Sequence, residues 1–309
     1  MNSLVTAATS RLPAGVPLEF RPQEDLSFPI YHQWSSPEGE CLLYFHRRPQ
    51  GYLLRFPDLA DFELDDAGQL ERVLAVPGTA EEVLGTICHN QIQPLALSCQ
   101  DHLVLHAGAV EVDGAAVLFA GSSGAGKSTL VQAFARAGYR FLTDDCATFA
   151  GECDALRVLP GTPGIRLRED SWQQLRRDLP AEERRRCARV QQSRSAKVHV
   201  PAGSSLPHCT EPLPVAAVYL LEDAPDGRLD IRPVGQGEAL VALVNQSFLL
   251  DIEDSAVLRG HFLRLAALTR QAPLWSLSRP RRFADLPQQV ETLVAHVRAH
   301  RAQACIPKH

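Results

Sequence analysis

The run Gly121-Ser122-Ser123-Gly124-Ala125-Gly126-Lys127-Ser128-Thr129 constrains this 309-residue chain more than any other stretch. It meets every position of the pattern G-x-x-x-x-G-K-[ST]. The apolar residues Ala115 to Ala120 before it read as a buried strand, and Ser128 to Ala137 after it read as a helix that Gly138 stops. Strand, glycine turn and helix in that order make a polyphosphate site. Glycines at 121, 124 and 126 permit positive φ and close backbone approach, so successive N–H groups and the positive helix end face phosphate oxygens. The expected ligand is ATP with Mg²⁺, held by Gly121, Ser122, Ser123, Gly124, Ala125, Gly126, Lys127, Ser128 and Thr129. In this reading Lys127 reaches the β and γ phosphates and Ser128 ligates the metal. Thr129 starts the helix or contacts a phosphate.

A second constellation follows closely. Tyr139-Arg140-Phe141-Leu142-Thr143 reads as a short apolar strand that ends in the adjacent carboxylates Asp144 and Asp145. Magnesium-nucleotide chemistry needs a carboxylate beside the loop serine, and transfer to a hydroxyl benefits from another that accepts the hydroxyl proton. Neighbouring strand residues point to opposite faces, so both serve one site only if the strand has ended. The alternative is an exposed turn pair.

His106 is the third candidate. Leu103 to Ala107 reads as a strand that turns at Asp113-Gly114 and pairs with the loop-bearing strand, which puts His106 at the end far from the turn. A lone histidine is more often a satisfied core or surface imidazole, and spacing alone does not overturn that.

The remaining sequence narrows the class of protein. A net charge of -5 gives no general footprint for nucleic acid. No signal-like N-terminal stretch and no apolar run of about twenty residues is present, which leads to the expectation of a cytoplasmic protein without membrane association. Eight scattered cysteines without a CxxC pair read as reduced thiols, and His199, His208 and Cys209 fit no common zinc spacing. Residues 1 to 95, with short alternating segments such as 40–45 and 52–56, suggest a small β-rich module, and 96 to 309 a nucleotide-binding catalytic domain. Later signals are a strand at 216–221 and helices at 238–244 and 255–269. The basic run Arg176 to Lys197 reads first as a solvated helical face, interleaved with Asp178, Glu182 and Glu183, and second as a loop that orders over an acceptor.

Leu105-His106-Ala107, then Val110 to Gly114, Gly121 to Thr129, and Phe141 to Asp145 together resemble the catalytic domain of HPr serine kinase/phosphorylase. The likeness is close over roughly residues 100 to 170. It implies a mixed α/β fold of the HPr kinase/phosphoenolpyruvate carboxykinase type, homo-oligomers, and roles: Lys127 on the phosphates, Ser128 with an aspartate on Mg²⁺, Asp145 as proton acceptor, and His106 beside the pair. In place of that family's glycine-rich signature the chain has Leu159-Pro160-Gly161-Thr162-Pro163-Gly164-Ile165-Arg166-Leu167-Arg168-Glu169. It therefore looks more like divergent HPr-kinase-related proteins, some of which accompany the biosynthesis of ribosomal peptides, lasso peptides among them, and phosphorylate a precursor serine. Arg166 and Glu169 are further site candidates. The expectation is an ATP- and Mg²⁺-dependent serine kinase acting on a protein or peptide. The alternatives are a small-molecule hydroxyl kinase and an ATP-sensing regulator that transfers nothing; Asp144, Asp145 and His106 weigh against the last, because binding needs no proton acceptor.

Overall fold

The computed structural model describes residues 11–36, 38–100, 102–191, 196–224 and 227–304. It is a mixed α/β structure that divides into two compact units. One comprises Met1–Val104 with Val190–Ser195 and Phe248–His261, the other Leu105–Arg189, Ala196–Ser247 and Phe262–His309. The sequence draws a boundary near residue 95; here Phe248–His261, far along the chain, groups with the N-terminal residues.

The first unit is built on strands β1 (Leu18–Phe20), β2 (Ile30–Ser35), β3 (Cys41–Arg47), β4 (Tyr52–Phe56), β5 (Ala60–Leu64) and β6 (Leu70–Ala75), in sheet order β1-β6-β5-β4-β3-β2. All pairs are antiparallel except β1 with β6. Period-2 alternation sends Phe62 and Leu64 into a core with Leu43, Phe45 and Leu54, which helices α1 (Glu81–Ile87) and α2 (Gln93–Cys99) cover with Leu84, Ile87 and Leu95. A π-helical turn, Cys88–Ile92, joins the helices, and the Gln93 N–H reaches back to Cys88 O. Pro94, with no N–H of its own, follows. Asp251 explains why the later segment belongs here. It is 4% exposed and accepts hydrogen bonds from Arg47 Nη2 (2.6 Å), the Tyr52 hydroxyl (2.8 Å) and the N–H groups of Glu253 and Asp254. A buried carboxylate so fully partnered is held in its charged form.

The second unit takes in β8 (Ala107–Val112), β9 (Ala115–Ala120), α3 (Lys127–Arg136), β10 (Phe141–Thr143), β11 (Ala147–Ala150) and β12 (Arg157–Val158), after the short β7 (Leu103–Leu105). Next come β13 (Gly164–Leu167), α4 (Glu169–Asp178), α5 (Ala181–Arg185), β14 (Ala188–Gln191), β15 (Ala196–Pro201), β16 (Leu213–Asp223), β17 (Asp230–Pro233), α6 (Gln236–Val244), α7 (Ser255–Gln271), β18 (Leu274–Arg279) and α8 (Leu286–Ala304), of which the last two residues of β14 and the first seven of α7 are grouped with the first unit. The main sheet runs β10-β8-β9-β16-β18-β17. Its centre, β9, β16 and β18, is parallel, and β8 and β10 add antiparallel strands on one side. Every residue of β9 is buried, as its unbroken apolar run requires of a strand covered on both faces. Phe119, Leu130, Phe134, Phe141, Tyr219 and Leu293 share one core. Asp113 (φ 49°) and Gly114 (φ 76°) form the left-handed turn that closes the β8–β9 hairpin.

Two expectations need correction. The strand expected over 103–107 breaks at His106, whose N–H donates to Gln246 O at 2.7 Å instead of entering a ladder, so the hairpin strand starts at Ala107. The helical face read into 176–197 covers only α4 and α5; Ala188–Gln191 and Ala196–Pro201 are strands, and Arg194 lies outside the described residues. Among the described residues no helix is long and apolar enough to cross a membrane. Cys41, Cys88, Cys99, Cys146, Cys153, Cys187 and Cys209 carry free thiols, and Cys305 is outside that range.

Candidate active site

The glycine loop leaves β9 and enters α3 through three left-handed residues, Gly121 (φ 149°), Gly124 (φ 84°) and Gly126 (φ 98°). At Gly126 the φ of 98° favours glycine, and a Cβ there would also have to displace the Arg279 guanidinium, whose Nη2 lies 2.1 Å from its position. Ser122, Ser123 and Gly124 are exposed at the tip, and Ala125 is buried beneath it. Lys127 opens the helix, 5% exposed, and its Nζ donates to Gly121 O (2.7 Å) and Ser122 O (3.1 Å). Burial pushes its pKa down to about 8, against the opposing pull of Asp145 and Asp144. Ser128 is half-buried on the first turn, while the Thr129 hydroxyl meets Ser171 Oγ at 3.1 Å and ties α3 to α4.

β10 ends at Thr143, so Asp144 and Asp145 occupy a bend and escape the strand's alternation. The close approach of this bend to β8 needs Gly108, where a Cβ would meet Val131 Cγ2 at 2.6 Å and Asp144 O at 3.1 Å. Both carboxylates are held by one residue of β13. The Arg166 N–H donates to Asp144 Oδ2 (2.7 Å), and Arg166 Nη2 donates to Asp145 Oδ2 (2.6 Å). His106 Nε2 lies 3.8 Å from Asp145 Oδ1. Burial and the Asp145 charge raise the Asp144 pKa to about 6. Burial also opposes ionisation of Asp145, but Arg166, His106 and Lys197 overcome it and hold its carboxyl well below the ordinary range.

The order β10-β8-β9 thus brings His106, the loop, Asp144 and Asp145 to one side of β9. Residues without a sequence motif complete the surroundings. β13 and β15 pair with Arg166 opposite His199, which puts Lys197, His199 and Arg166 on one face of that pair. His199 Nε2 is buried without a hydrogen-bond partner among the described residues and packs over Gly164; burial and Arg166 push its pKa down to about 4. His208 and Cys209 are occupied elsewhere: His208 Nε2 meets Leu142 O at 3.1 Å, and the Cys209 N–H donates to Phe141 O. On the other side of β9, Arg279 Nη2 and Arg281 Nη1 donate to Gly126 O (3.2 Å) and Gly124 O (3.3 Å). These arginines cluster at the end of an apolar strand, Ser278-Arg279-Pro280-Arg281-Arg282, which is the only trace they leave in the sequence.

The residues present fit Mg²⁺. Asp144 Oδ1 is buried and has no hydrogen-bond partner among the described residues, a hard oxygen left for a cation. No group of three or more His, Cys, Asp or Glu gathers as a metal cluster among the described residues.

No family model matches the chain, and no curated protein matches it. Among solved structures, the Hpr(Ser) kinase/phosphatase from Coxiella burnetii is similar at 15% identity and a TM-score of 0.31, over 65% of this chain and 97% of that one. Likeness at that level carries no argument about chemistry, and the functional reading rests on the site itself.

Proposed function

We propose that this chain is an ATP- and Mg²⁺-dependent kinase that transfers the γ-phosphoryl group to a serine hydroxyl of a protein or peptide. The observation that carries the reading is Asp145, an ionised carboxylate kept beside the phosphate loop by Arg166 and His106. Pure nucleotide binding has no use for such a group, so the geometry favours transfer over sensing. The acceptor class draws on the residue order His106, 121–129 and 144–145, which resembles serine kinases of the HPr type; a small-molecule hydroxyl is the alternative.

In this mechanism the loop N–H groups and Lys127 hold the phosphates, and desolvation of Lys127 strengthens its attraction to them. Asp145 accepts a hydrogen bond from the acceptor hydroxyl and aims its oxygen at the γ phosphorus. The new P–O bond forms as the bond to the β-phosphate oxygen breaks; ADP leaves and the hydroxyl proton passes to Asp145. A carboxylate of low pKa suffices, because the loose transition state asks more for orientation than for early proton abstraction. Arg166 keeps Asp145 ionised, and His106 flanks its other oxygen. Ser128 and Asp144 would hold Mg²⁺, which supplies charge neutralisation on the phosphate oxygens.

The test is transfer from γ-labelled ATP to a panel of HPr, candidate precursor peptides and a metabolite pool. Label on a polypeptide serine supports the proposal, label on a metabolite selects the alternative, and ATP binding without any labelled product contradicts both.

A further inference from the structure

Helix α4 begins beside the site and leads away from it. Arg166, which holds Asp145, lies in β13, and α4 starts at Glu169 with Ser171 Oγ against the Thr129 hydroxyl at 3.1 Å. Its far end carries Arg176 and Arg177, about 10 Å further on at 1.5 Å per residue. Leu179 and Pro180 turn the chain into α5, where Arg184 and Arg185 close the helix and Arg186 caps it. Arg184 Nη1 donates to Arg176 O at 3.5 Å, which brings the two groups of arginines together.

All five side chains are exposed, and none forms an ion pair among the described residues. The acids interleaved with them are engaged elsewhere. Asp178 pairs with Arg136, while Glu183 accepts from the Ser204 hydroxyl at 2.6 Å and from the Ser205 N–H at 3.4 Å. Among the described residues at this end of the helix pair, Glu182 alone is left to offset five positive charges. The dipole of α4 favours the two arginines at its C-terminus, but α5, only five residues long, has no need of three more. A chain with a net charge of -5 thus concentrates uncompensated positive charge on one surface that adjoins the site.

We propose that the arginines of α4 and α5 dock an acidic segment of the acceptor polypeptide whose serine is held at Asp145. This rests on the reading of the site as that of a kinase. Guanidinium forks pair bidentately with carboxylates, so the surface suits aspartate and glutamate side chains. About 10 Å corresponds to some three extended residues, so the acidic segment begins about three positions from the serine. A metabolite held at Asp145 would not span that length, and the surface therefore favours a polypeptide acceptor. A nucleic acid would meet the negative charge of the rest of the chain as well, whereas a short acidic segment meets only the arginines.

The experiment titrates the full chain with two fluorescent peptides that share a central serine. One carries glutamates that begin about three residues to either side of the serine, and the other carries glutamines in their place. Wild type should bind the glutamate peptide about tenfold more tightly, and the margin should close as salt rises from about 50 to about 300 mM. Arg185→Glu combined with Arg186→Glu should abolish the preference and leave the affinities for the glutamine peptide and for an ATP analogue unchanged. Should that variant not fold, Arg185→Gln combined with Arg186→Gln should reduce the preference and decides in its place. Equal affinity of wild type for the two peptides would overturn the proposal, and so would a preference that survives these substitutions. Tighter binding of a single-stranded RNA of equal charge would overturn it too. A chain that keeps the peptide preference yet binds no ATP analogue would instead overturn the kinase reading, and with it the docked segment's role as acceptor.

Discussion

Arg166 holds both carboxylates of the site through different atoms: its guanidinium meets Asp145 Oδ2 at 2.6 Å, and its main-chain N–H meets Asp144 Oδ2 at 2.7 Å. The two contacts are separable by mutation, since a side-chain substitution leaves the N–H in place. Arg166→Met should therefore keep the N–H bond to Asp144 but remove the strongest of the positive neighbours of Asp145, leaving His106 and Lys197. Both side chains of the pair are largely buried, at 13% and 16% exposed, so the expected cost is on the order of 3 kcal/mol in stability. Transfer should fall more than about 100-fold, with nucleotide affinity largely retained. Denaturant melts and single-turnover rates check these together; full transfer activity would remove Arg166 from the mechanism.

Gly108 lies in β8, outside the glycine loop, yet its lack of a side chain leaves room for the bend that carries the carboxylates. Gly108→Ala would drive its methyl against Val131 Cγ2 and Asp144 O, costing about 1–3 kcal/mol and displacing the bend. Thermal unfolding should show the loss, and transfer should drop more than ATP affinity does. Equal effects on both would mean that the bend does not set the catalytic geometry.

His199 supplies a pH signature of the fold. Its pKa lies near 4 in the folded chain against 6.5 for an unperturbed histidine, so below 6.5 the unfolded chain binds the proton first. The stability contribution is present above pH 6.5 and drains away as pH falls towards 4, by on the order of 3 kcal/mol. His199→Phe leaves no buried unpartnered nitrogen and should match wild type at neutral pH while losing less between pH 6.5 and 4.5. Parallel stability curves for the two proteins would contradict this.

The parts of the structure legible in the sequence are those encoded locally. Ala115 to Ala120 is a continuous apolar run bounded by Gly114 and Gly121, and the strand occupies those six residues. The break at His106 leaves no pattern, because His106 interrupts an apolar stretch whose ladder ends only where Gln246 O takes its N–H. The turn-in of both aspartates depends on the strand stopping at Thr143, and a one-residue difference in strand length decides it. Arg279 reaches Gly126 across 153 residues of chain, a proximity that the order β9-β16-β18 creates and no local motif announces. Asp251 is hidden for the same reason, since its partners Arg47 and Tyr52 are about two hundred residues away.

The central claim is that Asp145 serves transfer and not nucleotide binding. The direct measurement compares wild type with Asp145→Asn, reading ATP affinity by titration and phosphoryl transfer from γ-labelled ATP on the same preparations. The account predicts transfer reduced roughly 10²- to 10⁴-fold with ATP affinity changed little. Undiminished transfer by Asp145→Asn would contradict it.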